Sequence, residues 1–577
     1  MKPHPHSIEI LEARIAPSVF VVTSLADPAE AGKVTLRDAL LMADNNDGLD
    51  TITFKLPAPP PQGANIIKLT AGQLTSMGSV TIKGPGPSKL ILDGNDASTI
   101  LRIDDADPTT DGPATIGGLS FAHGKGSDGG GIFSRESLTL RSVVIAGNSA
   151  TGDGGGLTVL GALTAGAAPI KASISNSLIT GNSAESDGGG MALVNLSAIS
   201  IKKSVITGNS APDGAGGGFY ARLTATGVGL AISGCTISGN AADRGGGMFV
   251  ENDNLNPAAK STLSSTKVTG NRSFGTGEGG GGIYLSRGHA IISGSTIRNN
   301  TAVFNGGGIE ARNVASLTIS KSIISGNQTT TQVPYSPSGS NYDVGGGGLL
   351  IKGTGSSIAP VKIIGSRFIE NSSQQDGGGV LAQDGIALTI SGSTFAGNHA
   401  RSAGGGVAAQ GVGAEEVDLT VTGGTFADNI GGGISAFGSG VMSITGAKVT
   451  GNIGIGISAG IGILGGSGSV TIKNSIVSGN IGSGIGLFGM PDFKIIGGAI
   501  KGNVSSFSGG GIFAYDANGS ITGVTISGNV AARSGGGIEN TGNGTSGIIT
   551  VQIAKVRANI APVDPNISGP PGSIIFV

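Results

Sequence analysis

Apolar residues recur along this chain with a period of two. In each repeat an Ile, Val or Phe lies three residues before an asparagine, as Ile145 does before Asn148. Many repeats also place a small residue two positions earlier, as Ser177 lies before Ile179. Alternation by two is typical of a β-strand with one buried face, whereas a helix needs apolar residues three and four apart. The pattern therefore predicts short strands throughout the repeats.

Each repeat contains about three such strands. One begins after a run of glycines, as at Ile132, and a second is an apolar–Thr–apolar triplet, as in residues 138–140. The third strand ends at the asparagine. Three strands and three turns per coil predict an all-β, right-handed parallel β-helix, in which every coil pairs with the coils above and below it. Fifteen coils at about 4.8 Å each would form a rod roughly 70 Å long.

The asparagines occupy equivalent positions, and we predict that they form a structural ladder. An Asn can adopt the left-handed backbone conformation that ends a strand, and stacked amides can hydrogen-bond from coil to coil. The triple glycines have a similar structural interpretation, because residues without Cβ permit positive φ and a close approach of chains. The predicted ladder comprises Asn148, Asn182, Asn209, Asn240, Asn271, Asn300, Asn327, Asn371, Asn398, Asn429, Asn452, Asn480, Asn503, Asn529 and Asn559.

A second polar column consists of Asp128, Asp153 and Asp187, each directly before a triple glycine. Stacked carboxylates repel one another, and a Ca²⁺ ion would relieve that repulsion. The same column could serve as acid and base for a glycan. Aspartate in a polar turn also supplies turn hydrogen bonds, and the sequence favours this structural role. We therefore regard Asp128, Asp153 and Asp187 as a candidate binding site, and we assign no catalytic residue and no metal ligand.

The composition of the chain limits the classes of structure and of partner that are possible. Of the 577 residues 109 are glycine, and because these glycines fall at fixed places beside apolar columns, they indicate an ordered repeat rather than a flexible chain. The net charge is -2 and no basic stripe occurs, so we expect no nucleic-acid partner. No apolar run is long enough to predict a transmembrane helix. Cys235, the only cysteine, is expected to be buried in the column of small serines. No cofactor is expected, Ca²⁺ being the one alternative left open.

The N-terminal residues depart from the repeat pattern. Residues 1–18 lack the continuous apolar core of an ordinary signal peptide. Their run LEARIAPS resembles the LExR-x-x-P-[SA] leader of exported proteins from Planctomycetes and Verrucomicrobia. Further on, Leu36, Ala39, Leu40 and Ala43 have helical spacing, and Thr35 is a candidate N-cap. We predict a short helix that covers the apolar end of the first coil.

Several runs in the same region resemble the CSLREA domain, whose pattern is roughly VTT-x-AD, SLR-[ED]-A-I, AN and G-x-DTI-x-F. The matching runs are VTSLAD from Val22, TLRDA from Thr35, ADNN from Ala43 and GLDTITF from Gly48. TLRDA replaces the usual SLREA. The GGGI and IxGNSA repeats are similar to those of chlamydial polymorphic outer-membrane proteins, which pair GGA[ILV] with FxxN. These resemblances imply a bacterial protein that is extracellular or at the cell surface, more firmly than they imply an activity.

The predicted organisation has four parts. Residues 1–18 form an export-like leader, 19–57 a CSLREA-like capping domain, 58–125 irregular first coils and 126–577 the repeat β-helix. Longer inserts occur at 161–169, 253–260 and 328–344, the last with Tyr335 and Tyr342. Inserts on a solenoid usually share one face and often carry its binding residues.

Function follows less directly from these patterns. Pectin-lyase-like solenoids often host polysaccharide lyases and glycosidases, but a fold alone does not establish an activity. The polygalacturonase motifs Asn-Thr-Asp, Asp-Asp, Gly-His-Gly and Arg-Ile-Lys are absent from the repeats, and aromatic residues are only 4% of the chain. The sequence therefore favours a non-catalytic, adhesin-like surface solenoid whose partners are cell-surface glycans or envelope components. A lyase or glycosidase and a calcium-stabilised rod remain as alternatives. The enzyme requires a cluster of Asp or Glu with Arg or Lys on three adjacent coils, whereas the adhesin predicts none.

Overall fold

A computed structural model describes residues 17–577 except 47, 224–228, 254–258, 332–343, 355–357, 412–415, 439, 461–467, 543–546 and 553. The chain winds into a right-handed parallel β-helix of about 18 turns, which confirms the predicted fold class. Most of the predicted leader, as well as Tyr335 and Tyr342, lies outside the described residues.

Three parallel sheets run along the solenoid. Sheet 1 begins with Val19–Val22 and ends with Ile574–Phe576, and sheet 2 runs from Asn65–Lys68 to Lys555–Arg557. The strands of sheet 3 are Leu74–Ser76, Leu101–Ile103, Ile132–Ser134, Leu157–Leu160, Met191–Leu196, Phe219–Leu223, Met248–Asn252, Ile283–Ser286, Ile309–Arg312, Leu349–Lys352, Val380–Gln383, Val407–Gln410, Ile434–Phe437, Ile457–Gly460, Ile485–Phe488, Ile512–Tyr515, Ile538–Thr541 and Ile567–Ser568.

One coil illustrates the path of the chain. Ile132–Ser134 lies in sheet 3, Leu138–Arg141 in sheet 1 and Val144–Ala146 in sheet 2. The two-residue strand Ser149–Ala150 then joins a short fourth ladder before the chain re-enters sheet 3 at Leu157–Leu160. Each of these strands pairs in register with its equivalents in the neighbouring coils, so residues at one repeat position stack in columns along the rod.

The inward columns form one continuous core. Leu138 and Leu140 are buried and stack on the buried Ala172 and Ile174 of the next coil. The residues three before each ladder asparagine are also buried, except Val556, which is partly buried. In three consecutive coils this position is Phe368, Phe395 and Phe426, whose ring centroids are 5.0 and 4.9 Å apart. The buried Cys235 occupies the predicted column of small residues, and burial raises the pKa of its thiol.

Helix α1, Leu36–Asp44, covers the first coil as predicted. Thr35 caps it through a capping box with Asp38, and its buried residues pack against the first strands of the solenoid. Arg37 fixes the helix further, because its guanidinium donates to Asp27 Oδ1 at 2.8 Å and to the Gly72 carbonyl at 2.8 Å. Within the described residues no helix is long and apolar enough to cross a membrane.

The triple-glycine loops fold back over the outer face of sheet 3. Gly154 has φ +66°, and a Cβ placed there would lie 2.2 Å from Thr158 Oγ1 and 2.3 Å from the Leu157 carbonyl oxygen. Glycine is therefore required by both backbone conformation and space. As a result the first outward-facing residue of these strands is covered, as Thr158 and Ala192 are.

Candidate functional site

The asparagine column is a continuous hydrogen-bond ladder in the interior. Asn148 donates to Asn182 Oδ1 from its side chain at 2.9 Å and from its backbone N–H at 3.0 Å. Its Nδ2 also donates to the Phe121 carbonyl at 3.1 Å. Equivalent bonds continue through the column, which ends where Asn559 donates to Asn566 Oδ1 at 3.3 Å. These amides are buried and bonded to one another, so the ladder offers no binding surface.

The left-handed conformation belongs to the residue before each asparagine. Gly147 has φ +65°, and Glu370 and Asp428 have φ +54°, whereas none of the fifteen ladder asparagines has positive φ. The expectation that the asparagine itself adopts this conformation is therefore wrong. The turn is completed one residue earlier because the asparagine must point its side chain into the core to reach the next coil.

The aspartate column connects successive turns. Asp128 Oδ1 accepts the backbone N–H of Asp153 at 2.9 Å, and Asp153 Oδ1 accepts that of Asp187 at 3.1 Å. Asp187 Oδ1 in turn accepts the N–H of Ala215 at 2.7 Å. Burial raises the pKa of Asp153, and its neighbouring carboxylates add to that shift. The three carboxylates thus hold backbone amides, which is the structural alternative considered from the sequence.

A cavity of about 300 Å³ lies on the outer face of sheet 3, where the aspartate column ends. It spans four successive strands, Phe219–Leu223, Met248–Asn252, Ile283–Ser286 and Ile309–Arg312. We name it the charged groove. Its charged and phenolic lining residues are Asp187, Tyr220, Arg244, Glu251, Glu278, Tyr284, Arg287 and Arg312.

Three aromatic rings form one wall of the charged groove. Tyr220 stacks on Phe249 with centroids 5.4 Å apart, and Phe249 stacks on Tyr284 at 4.5 Å with an interplanar angle of 6°. Arg244 lies over the Phe249 ring at 5.5 Å. Phe249 is therefore stacked between the two tyrosines, and Tyr220 and Tyr284 add phenolic hydroxyls to the lining of the groove. Burial and the nearby Glu310 and Glu278 raise the pKa of Tyr284, so its hydroxyl remains a hydrogen-bond donor.

Arginines and carboxylates alternate across the open side of the groove. Arg287 Nη1 lies 2.5 Å from Asp253 Oδ1 and 3.3 Å from Glu251 Oε1. Tyr220 donates its hydroxyl to Glu251 Oε2 at 3.1 Å, and Arg222 Nε lies 3.7 Å from the same oxygen. Glu251 is therefore held from both sides by cationic and hydroxyl groups.

The next coil supplies a similar pair and a buried acid. Arg244 Nη1 lies 3.1 Å from Glu278 Oε2. Beneath them, the fully buried Glu310 pairs with Arg312 and accepts the Gly279 backbone N–H at 2.5 Å. Burial raises the pKa of Glu310 although Arg312 and the amide both favour its carboxylate form. The groove therefore rests on a layer whose charged groups are paired and hydrogen-bonded within the protein.

The charged groove gathers Asp, Glu and Arg side chains from adjacent coils, which is the arrangement that the enzyme alternative requires. The adhesin interpretation predicted that no such cluster exists. That part of the sequence-based interpretation is wrong. A signal for the cluster was present, because Tyr220, Phe249 and Tyr284 each directly follow an inward-facing residue that comes after a glycine run. Aligning the repeats on their glycines would have placed the three rings in one column.

A second cavity, of about 290 Å³, lies near the insert at residues 161–169. Among its lining residues are Asp104 and Glu136, which together with Asp105 form the one group of three acidic ligand atoms within 4.8 Å of one another in the described part of the chain. Both Glu136 oxygens accept backbone amides, from Gly112 at 2.7 Å and Asp105 at 3.3 Å. Burial raises the pKa of Glu136 to about 7. Glu136 therefore holds the loop that contains Asp105 and Gly112.

Comparison with known families agrees with this architecture. A family model described as a right-handed beta helix region matches residues 347–495. The matched residues begin on the C-terminal side of the charged groove and cover about a quarter of the chain. A search of curated proteins found no match.

Proposed function

We propose that this protein is a glycan-binding solenoid whose ligand lies in the charged groove. The observation that carries the proposal is the cavity itself, where tyrosine, arginine and glutamate side chains from successive coils converge. Ligand sites are typically concave, with a small number of polar groups that fix the orientation of the ligand. At about 300 Å³ the groove is at the lower end of such sites, which suits one or two sugar rings of a longer chain.

The lining chemistry supports a hydroxyl-rich ligand that carries negative charge. Carboxylates such as Glu278 accept sugar hydroxyls, and arginine donates a planar fork to carboxylate groups. Arg287 is suited to this role because its side chain is 53% exposed at the mouth of the groove. A ligand carboxylate there would compete with Asp253 and Glu251 for the guanidinium.

Binding to a panel of neutral and uronate-containing oligosaccharides tests the proposal by calorimetry. We expect Arg287→Ala to weaken binding by at least about ten-fold, whereas Arg141→Ala, an exposed arginine on sheet 1, should leave it unchanged. Equal losses in both variants, or no binding by the wild type to any glycan, would reject the groove as the site.

One observation favours a second candidate, a polysaccharide lyase or glycosidase. Glu251 and Glu278 come from successive coils and line the same cavity, and a pair of carboxylates is the usual machinery of glycoside hydrolysis. Assays for new reducing ends and for unsaturated products on the same panel distinguish the candidates. Turnover that disappears in Glu278→Gln, with binding retained, would establish the enzyme and exclude a purely binding role.

We also propose an extracellular or cell-surface location, with envelope material as the natural ligand. The support is the LExR-type run in residues 1–18 and the CSLREA-like runs in 19–57. Protease treatment of intact cells, followed by immunodetection of the solenoid, tests this location. Digestion only after lysis would show that the protein is internal.

A further inference from the structure

One column of the solenoid changes character along the rod. The residue directly after the ladder asparagine is small or polar in nine coils, from Ser149 to His399. In the next six coils it is always a β-branched aliphatic residue. These six residues form what we name the aliphatic row: Ile430, Ile453, Ile481, Val504, Val530 and Ile560.

The aliphatic row is continuous and in register. Ile430 pairs with Ile453, and the pairing continues coil by coil to Ile560. On its other side Ile430 pairs with His399, so the row begins where the small and polar residues of the earlier coils end. Six strands at about 4.8 Å give a row about 24 Å long.

The aliphatic row is exposed to solvent at a corner of the rod, because each member follows the turn at a buried ladder asparagine. Ile453 is 48% exposed and Ile560 62%. Phe507, three residues after Val504, adds a ring that is 62% exposed. A contiguous apolar surface is uncommon on a monomer and usually marks an interaction site.

Basic side chains border the row on both sides. Sheet 2 precedes the row in each coil, and its last six strands contain no acidic residue but four exposed basic ones, namely Lys448, Lys501, Lys555 and Arg557. On the other side of the row, Arg533 lies over the Phe507 ring at 5.3 Å.

Acidic residues are fewer near the row than basic ones. Within five positions of a row member the chain has these five basic residues and only two acidic ones, Asp428 and Asp564. The whole chain has a net charge of -2, so the excess of positive charge belongs to this region. The surface therefore combines exposed aliphatic side chains with a positive border.

We propose that the aliphatic row and its basic border dock on an anionic lipid bilayer. A bilayer of this kind presents negative headgroups above apolar chains, which complements aliphatic side chains bordered by Lys and Arg. The long basic side chains can keep their charges at headgroup level while the row enters the apolar layer.

Other partners match only one half of this surface. A soluble polyanion would pair with the basic border but would leave the aliphatic row exposed. A second copy of the chain would cover the row but would bring two basic borders together, and like charges placed opposite each other are costly. The bilayer is the occupant that satisfies both halves.

Co-sedimentation of the full chain with vesicles tests the proposal. Vesicles of phosphatidylcholine mixed with phosphatidylglycerol are compared with vesicles of phosphatidylcholine alone. We expect binding to the anionic vesicles to be at least about ten-fold stronger. The binding should weaken as the salt concentration rises, because salt screens the attraction between the basic border and the headgroups.

Two double variants separate the apolar from the charged contribution. Ile453→Ser with Ile481→Ser shortens the row, and serine is already present at this repeat position in earlier coils, as at Ser149. Lys501→Gln with Arg557→Gln removes two charges from the border. We expect each double variant to weaken binding to the anionic vesicles at least about five-fold.

The matched controls are exposed residues of the same types on sheet 1. They are Ile364→Ser with Val441→Ser for the row, and Lys202→Gln with Lys362→Gln for the border. We expect each control to change binding by less than about two-fold, and thermal melting shows whether all four variants are folded.

Several results would overturn the proposal. They are no binding to anionic vesicles, equal binding to both kinds of vesicle, or losses in the controls as large as those in the test variants. Sedimentation velocity adds one more, because a dimer that dissociates in the Ile453→Ser, Ile481→Ser variant, without vesicle binding by the wild type, would assign the row to a second copy. No residue of this surface lines the charged groove, so glycan binding and vesicle binding can fail independently.

Discussion

The side-chain amide of Asn300 donates to Oδ1 of Asn327 at 2.9 Å, and both residues are completely buried. Asn300 Oδ1 in turn accepts two bonds from Asn271, one from Nδ2 at 2.9 Å and one from the backbone N–H at 3.0 Å. Each ladder asparagine therefore satisfies donors that belong to a different coil. The ladder thus adds buried side-chain hydrogen bonds between coils to the sheet pairing and the apolar contacts.

Replacing one ladder residue should consequently affect two coils. We expect Asn300→Ala to cost about 2–5 kcal/mol, because two buried donors of Asn271 lose their acceptor. Urea unfolding followed by circular dichroism measures the loss. The outward-facing Thr236→Ala on sheet 2 is the control and should change stability by less than about 0.5 kcal/mol. Similar unfolding curves for the two variants would mean that the ladder contributes little.

Replacing Asp153 distinguishes a structural role of the aspartate column from a calcium-binding role. Burial and two neighbouring carboxylates raise the pKa of Asp153, so the folded protein disfavours the ionised carboxylate relative to the unfolded chain. Asparagine keeps an oxygen that can accept the Asp187 amide and removes the charge. We therefore expect Asp153→Asn to leave the melting temperature at neutral pH unchanged or raised, with no effect of a chelator. A melting temperature that falls in the variant, and also in the wild type on chelation, would instead support a calcium-stabilised rod.

Glu136 should give the stability a defined pH dependence. Burial raises its pKa from 4.5 to about 7, so between these values the folded protein retains a proton that the unfolded chain has lost. Stability should therefore decrease as the pH rises from about 4.5 to 7, by at most about 3 kcal/mol, and then level off. Glu136→Gln removes this titration, and its unfolding free energy should lack that decrease. A parallel decrease in the variant would assign the pH dependence to other groups.

The buried ion pair beneath the groove should respond differently to single and double replacement. Glu310→Ala leaves the Arg312 guanidinium, whose side chain is only 15% exposed, without its partner. We expect a loss of about 3–5 kcal/mol, because an unpaired buried charge is costly. The double variant Glu310→Met with Arg312→Met should recover most of this loss, since it removes both charges. A double variant as unstable as the single one would show that packing at this site, rather than charge, sets its stability.

The core could be predicted well because buried apolar residues recur at regular intervals along the sequence. Ile145, Leu138 and their equivalents recur at fixed positions of the repeat, so the strands and the column positions could be derived, and helical spacing indicated the N-terminal helix. The ladder asparagines were recognisable for the same reason. Only their backbone conformation was predicted wrongly, because a side chain that must point inward cannot also supply the left-handed turn residue.

The charged groove was harder to derive. Its residues occupy outward positions, where no hydrophobic pattern constrains them, and inserts change the spacing between coils. Pairing Arg287 with Asp253, for example, requires knowing that the two residues lie on adjacent coils and that their side chains lean toward each other. Sequence spacing indicates the coil to which a residue belongs, whereas the ion-pair partner of that residue depends on side-chain geometry. The same limit applies to Glu136, whose environment is built by a loop that follows no repeat.

The stacked phenylalanines show that this rod is modular in length. Deleting residues 372–398 would remove one whole coil, including Phe395, and would join Asn371 directly to His399. Phe368 would then face Phe426, and Asn371 would face Asn429, so both columns would continue with the same residue types. The shortened protein would keep the charged groove but bring it about 4.8 Å closer to the C-terminal coils. The number of coils between two surfaces is thus an adjustable distance, which gene duplication or deletion can change one step at a time.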